Sequence, residues 1–135
     1  MNIPILLTPK CSVAFARTDE SLSAGIDRLR STGYTAIPVI TPEGMYAGSL
    51  SEGDVLWRYF DAAASGLAAK ELNGALVGSA INAKRNPPVA ITAPMDEVCR
   101  RAMEQNFIPV VDDRGAFVGI VTRKSLIDYF YKSQR

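Results

Sequence analysis

The sequence contains no histidine. That removes the commonest general base at neutral pH and the commonest metal ligand. Ser-His-Asp, Cys-His and HExxH chemistry are therefore closed to this chain. Cysteine is scarce. Cys11 and Cys99 are the only two, and with no CxxC pairing they point neither to a zinc site nor to a redox motif. Cys99 falls on an expected helix face, where a free cysteine behaves as a small buried apolar residue. An excess of one charge is missing too. Fifteen basic residues against fourteen acidic leave +1, with no block of like charges, which excludes a general nucleic-acid or membrane-surface binder. No apolar run approaches the ~20 residues that span a bilayer. The start, Met1-Asn2-Ile3-Pro4, lacks the basic region and small-residue cleavage site of a signal peptide, so a cytoplasmic protein is expected. There is no nucleophile motif and no clustered acid pair. The chain does not read as an enzyme, and it calls for no metal or required cofactor.

What is present is duplication. Ile37-Pro38-Val39-Ile40 returns as Ile108-Pro109-Val110-Val111. At the same offset Gly44 returns as Gly115, Gly48 as Gly119, Ser51 as Thr122 and Leu56 as Ile127. A constant spacing without a gap marks one supersecondary unit written twice, a unit that needs its twin to close a core. The length of 135 residues and the 47% hydrophobic share fit one domain, or two small halves sharing a core. Clefts between repeated units are common ligand sites.

Each repeat reads strand, helix, strand, turn, strand, helix. In the first, Ser12 to Ala16 is an expected short strand. Thr18 or Asp19 caps a helix carrying Leu22, Ile26 and Leu29 at i, i+4, i+7, and Gly33 ends it. Ala36 to Ile40 is a strand, Thr41-Pro42-Glu43-Gly44 a turn, and Met45 to Leu50 the return strand. Ser51 opens a helix expected to turn Val55, Leu56, Tyr59 and Phe60 to the core. In the second repeat, Val89 to Ile91 is the short strand and Met95 to Gln105 the helix. Phe107 to Val111 and Phe117 to Val121 pair around Asp112-Asp113-Arg114-Gly115. Thr122 caps a last helix with Leu126, Ile127 and Phe130 inward. Residues 61–80 read as a helix extension, a linker, and a helical turn near Leu76 to Ile81. The expected division is a first repeat at 1–62, a linker at 63–75 and a second repeat at 76–135, in an α+β fold.

Both return strands end in a shared pattern, Gly-x-x-Ser/Thr before a helix. It reads Gly48-Ser49-Leu50-Ser51-Glu52-Gly53-Asp54 in one copy and Gly119-Ile120-Val121-Thr122-Arg123-Lys124-Ser125 in the other. With the doubled Ile-Pro-Val strand, the Leu7-Thr8-Pro9-Lys10 lead-in and the looser Ile81-Asn82-Ala83-Lys84-Arg85, the chain resembles a tandem pair of cystathionine β-synthase (CBS) domains, a Bateman module. The resemblance covers nearly the whole chain. It implies two β-α-β-β-α repeats packed sheet to sheet with pseudo-twofold symmetry. It also implies a regulatory, energy-sensing module for AMP, ADP or ATP, with S-adenosylmethionine or NAD as further candidates and magnesium accompanying ATP.

Two readings attach to Ser51 and Asp54. A carboxylate can accept from both hydroxyls of a ribose by charge-assisted bonds, while the helix mouth offers N–H groups to a phosphate. Ser-x-x-Asp is equally a capping box that needs no ligand. The resemblance implies a cleft built from Ser51, Asp54 and Leu50 of one repeat and Val89, Asn106, Phe107 and Ile108 of the other. Arg123 and Lys124 would approach the phosphates, with Lys84 and Arg85 as weaker candidates. A poorer second cleft would use Thr122, Ser125, Lys10, Thr35, Ala36 and Ile37, because Ser125 lacks the carboxylate. Trp57, Tyr59, Phe60, Tyr129, Phe130 and Tyr131 sit on the closing helices. The family's disc-shaped dimers make a homodimer the expected assembly, signalling to a separate effector protein. The alternative is a ligand-free dimerisation or interaction module.

Overall fold

The structure is a computed structural model that describes residues 3–133; Met1, Asn2, Gln134 and Arg135, hence the outer ends of the expected repeats, lie outside the described residues. The chain runs α1 (Ile3–Leu6), β1 (Thr8–Pro9), a 3-10 turn (Lys10–Ser12), β2 (Ala16–Arg17), α2 (Leu22–Thr32), β3 (Ala36–Ile40), β4 (Tyr46–Ser51), α3 (Glu52–Ala64) and α4 (Ala69–Asn73). A second 3-10 turn (Val77–Ser79), β5 (Val89–Ala90), α5 (Met95–Glu104), β6 (Phe107–Val111), β7 (Phe117–Thr122) and α6 (Arg123–Ser133) follow. This is the expected α+β class. Two compact units form, one of residues 14–84 and one joining residues 1–13 to 85–135.

In the 14–84 unit the strand order is β2-β3-β4. β2 runs parallel to β3, and β3 antiparallel to β4 with Ile37 opposite Leu50. Alternation sends Ile37, Val39 and Leu50 to one face, where they close a core with Leu22, Leu29 and Val77. The expected strand at Ser12 to Ala16 is displaced. Lys10–Ser12 curls into a 3-10 turn, and pairing starts at Ala16 opposite Val39. The expected cap is also displaced. The Thr18 amide donates to Ile40 O at 2.9 Å, so Thr18 still belongs to the strand edge. Asp19 instead pairs with Arg17. Ser21 is the cap of α2, accepting from the Ala24 amide at 3.1 Å. Gly33 closes α2 as expected, at φ 71°.

Arg28 fastens the approach to this sheet. Its Nη1 donates to Phe15 O and to Glu20 Oε1, both at 2.7 Å, while Nη2 donates to Glu20 Oε2 at 2.8 Å. The Arg28 guanidinium holds the Glu20 carboxyl below the usual glutamate range. A group with a lowered folded pKa contributes stability above its unfolded pKa, and loses it as pH falls through the lowered value. Glu20→Gln is therefore expected to cost about 2 kcal/mol at pH 7. The loss should shrink in acid, and denaturant melts at pH 7 and pH 3 would show it; an equal loss at both pH values would contradict it.

The segment after α3 is built into the same unit. α4 forms inside the expected linker, with Leu72 buried and Asn73 Oδ1 accepting from Tyr59 Oη at 2.6 Å. Ala75 O then receives the Leu22 amide at 2.6 Å, and the Val77 amide reaches Glu20 O at 2.9 Å. Val77 is fully buried. Alanine and glycine content hid this segment, because a five-residue helix has too little periodicity to read.

In the other unit the order is β1-β7-β6-β5. β6 and β7 reproduce the β3–β4 register, including an irregularity before the last strand residue, Val111 here and Ile40 there. Ile3, Leu6, Val89, Val98, Ile108, Val110, Val121 and Leu126 form its core. Arg101 plays the part of Arg28, with Nη1 donating to Pro87 O at 3.1 Å. Cys99 is half-buried against this core, and Cys11 is exposed.

The direction expected for several helix residues is corrected. Val55 and Tyr59 do pack on their core. Leu56 is 67% exposed, Phe60 61%, Ile127 66% and Phe130 43%. A helix lying on a sheet presents one stripe to it, and neighbours about 100° round face away.

Candidate functional site

The two Gly-x-x-Ser/Thr segments take their shape from what crosses them. β1 lies antiparallel on β7, with Thr8 opposite Ile120 and Pro9 opposite Gly119. Asn82 bridges to Ser49 on β4, its amide donating to Ser49 O at 3.2 Å. The lead-in of each repeat is thus laid on the return strand of the other. A Cβ on Gly119 would collide with Thr8 O and the Leu7 side chain. One on Gly48 would stand 3.1 Å from Asn82 O and from Ala83 Cα. The repeated glycine serves this close crossing.

Three residues further on, each return strand delivers its polar group to a helix mouth. Ser51 Oγ accepts from the Asp54 amide at 3.0 Å, and Asp54 Oδ2 accepts from the Ser51 amide at 3.0 Å. The capping box is formed, so the capping reading of these residues is realised. The ribose reading remains compatible with it, since a carboxylate has several acceptor sites. In the second copy Thr122 Oγ1 accepts from the Ser125 amide at 3.1 Å, and the two hydroxyls lie 2.9 Å apart. Thr122 is the cap of α6, and Ser125 takes the place of a carboxylate with a neutral hydroxyl.

The residues named from sequence fall in both units. Ser51 and Asp54 are half-buried and Leu50 fully buried in the 14–84 unit, where the Leu50 side chain belongs to the core. Thr35 is exposed, Ala36 half-buried and Ile37 a core residue there. Lys84 is exposed. In the other unit Val89 and Ile108 are core residues, and Phe107 is buried. Buried strand residues of this kind can offer a ligand their backbone groups. Asn106, Lys124 and Arg85 are exposed, and Lys10 is half-buried. Arg123 is exposed but turned toward α5, its Nε donating to Ala102 O at 2.7 Å.

Ser125 and Thr8 line one groove of about 370 Å³ with Leu6, Asp128, Tyr129 and Lys132. Sequence reading missed Asp128 and Lys132 and named Tyr129 only as an aromatic of the closing helix. Their signal was positional, since 125, 128, 129 and 132 share one helix face. Arg28 and Arg101 were missed as well; they recur on equivalent helices, each reaching a carbonyl of the chain that leads into its sheet. The larger groove, about 470 Å³, lies elsewhere, between α2 and α3, with Ile26, Tyr34, Glu52 and Leu56 among its walls. Among the described residues no group of three His, Cys, Asp or Glu could hold a metal ion, and no helix is long and apolar enough to cross a membrane.

Comparison with solved structures places the fold among tandem-domain proteins. CbpB in complex with c-di-AMP is 25% identical, with a TM-score of 0.89 over 98% of this chain and 85% of that one. CbpB from Streptococcus agalactiae is 26% identical, with a TM-score of 0.83 over 93% of this chain and 77% of that one. CBSX2 in complex with AMP has the same fold at 21% identity, with a TM-score of 0.79 over 99% and 98% of the two chains. A comparison with curated proteins gave no match. The CBS domain family matches residues 7–61 and again residues 77–132. The match takes in both copies of the repeat, and the chain belongs to the CBS domain family as a tandem pair, a Bateman module.

Proposed function

We propose that this tandem pair is a regulatory module that binds an adenosine-containing ligand and passes its occupancy to a separate effector protein. One observation carries the reading. The chain is similar over nearly its whole length to a CbpB solved with c-di-AMP. That likeness sets c-di-AMP beside AMP, ADP and ATP as candidate ligands. S-adenosylmethionine and NAD remain alternatives within the same chemistry, and magnesium would arrive with a polyphosphate.

Asp54 is the proposed ribose group, with Ser51 and the α3 mouth beside it. Val89, Asn106, Phe107, Ile108 and the backbone at Leu50 would contribute to the adenine slot. Lys124 would meet phosphate; Arg123 would have to release Ala102 O to do the same. The second cleft, with Thr122, Ser125, Lys10, Thr35, Ala36 and Ile37, would bind more weakly, because Ser125 cannot supply a charge-assisted acceptor. Regulation requires the ligand to prefer one arrangement of the module over another, since equal affinity for both shifts nothing. Absence of histidine from the sequence supports a sensor over a catalyst.

Ligand present at about one hundred times its dissociation constant raises stability by about 2.7 kcal/mol. At least one of AMP, ADP, ATP and c-di-AMP should therefore raise the melting midpoint by several degrees, with calorimetry giving the stoichiometry. The second reading, a ligand-free interaction module, draws support from the neutral Ser125 and the exposed apolar helices. A flat thermal response to every adenosine compound would favour it and sink the first.

A further inference from the structure

The groove of about 370 Å³ between the α1–β1 lead-in and α6 runs from Ser125 toward the end of the helix. That volume is within the range of small-molecule pockets. Its walls are mixed. Ile5 and Leu7 give an apolar side, and Tyr129 adds a half-buried ring packed on the core. Thr8 and Ser125 add two half-buried hydroxyls. Asp128 and Lys132 add a carboxylate and an ammonium, one helical turn apart on the same face. Both are exposed, and among the described residues neither side chain makes a hydrogen bond or an ion pair.

This set belongs to the second copy alone. The places equivalent to Asp128, Tyr129 and Lys132 hold Trp57, Arg58 and Asp61 in the first. The groove chemistry is therefore not a product of the duplication. Ser125 fits the same pattern. With an aspartate there, as at Asp54, the groove would carry two acids against one base. With serine its walls are neutral in sum. Neutral walls with separated charges match a nucleotide poorly, because its phosphate would face Asp128 as well as Lys132. They match a molecule that is neutral in sum and carries both an amine and a carboxylate.

We propose that this groove binds a free α-amino acid with an apolar side chain. Asp128 receives the ammonium and Lys132 meets the carboxylate, each through charge-assisted hydrogen bonds. The hydroxyls of Ser125 and Thr8 can donate or accept, and so serve the polar atoms left over. The ligand's side chain leaves water against Ile5, Leu7 and Tyr129. An exposed acid–base pair gains little from its own attraction, so a zwitterion placed between the two displaces little. The proposal concerns a second ligand of another class and does not depend on the nucleotide reading.

Calorimetry of the full chain with L-phenylalanine and L-leucine, at low salt, tests it. Each should bind at a single site. N-acetyl-L-phenylalanine lacks the ammonium and L-phenylalaninamide lacks the carboxylate. Each analogue should bind about tenfold more weakly or worse, because one charge of the groove is then unmatched. Asp128→Asn should weaken phenylalanine about tenfold and abolish its preference over the acetylated form. Lys132→Gln should weaken it similarly and abolish its preference over the amide. A structural role for either residue would leave these preferences in place. Both variants should melt with the wild type, since both side chains are exposed. No binding of either amino acid, analogues that bind as tightly as phenylalanine, or variants that keep both preferences would each overturn the proposal. Nucleotide titrations on the same protein read the other proposal separately, and their failure would leave this one standing.

Discussion

Gly119→Ala is expected to lower the melting temperature by about 10 °C, the largest stability loss we anticipate from a single methyl group. The added Cβ points at Thr8 O and at Leu7, where β1 crosses β7. The backbone there has φ 157°, and the neighbour in the way is main chain rather than a side chain that can rotate. Relief requires β1 to lift. Overpacking with a backbone shift costs about 1–3 kcal/mol and a strained φ adds about 1 kcal/mol. For a chain of this length that converts to about 10 °C. Gly33→Ala is the control: its φ is 71°, but nothing lies within 4 Å of the added carbon. It should cost only about 1 kcal/mol, the left-handed penalty. The distinguishing readout is hydrogen exchange in residues 3–13, which should accelerate in Gly119→Ala and not in Gly33→Ala. Equal melting temperatures for the two variants would mean that the crossing of β1 over β7 is not the reason for this glycine.

Asp54→Ser is expected to lower ligand affinity about a hundredfold while leaving the fold nearly unchanged. The substitution makes the first helix mouth like the second, where Ser125 sits in a working cap with Thr122. A hydroxyl can keep one hydrogen bond of the box, so the stability cost should stay near 1 kcal/mol or below. The two charge-assisted bonds proposed to a ribose are lost, and at about 1.5 kcal/mol each, the low end for bonds to a charged group, about 3 kcal/mol of binding goes with them. At 1.4 kcal/mol per factor of ten this gives the stated drop. Calorimetry with whichever adenosine compound binds the wild-type chain is the measurement. Unchanged affinity would reduce Asp54 to a helix cap, and a large fall in melting temperature would show that the cap matters more than proposed.

The duplicated strand pairs were legible because their signals are local. Ile37-Pro38-Val39-Ile40 and its copy are dense β-branched runs followed by turn residues, and they form β3 and β6 as read. Ser51 and Thr122 announced themselves as caps by standing before apolar helices. Where several polar residues preceded a helix, the choice went to a long-range contact. Thr18 was claimed by Ile40 and Asp19 by Arg17, which left Ser21 to cap α2. α4 was missed for the complementary reason, since its one buried anchor, Leu72, shows no period by itself.

The amino-acid order alone determined the repeat, the α+β class, the strand registers' apolar pattern and the difference between Asp54 and Ser125. These follow from residue type and spacing, which act within a few positions of chain. Only the tertiary structure decided that β1 lies on β7 and that Asn82 bridges to Ser49, so that each repeat lends its first segment to the other. It also decided that Leu56, Phe60, Ile127 and Tyr131 face outward. Sequence periodicity marks a residue as apolar; which side of a helix meets the sheet depends on where distant strands pack, and that is a property of the folded chain.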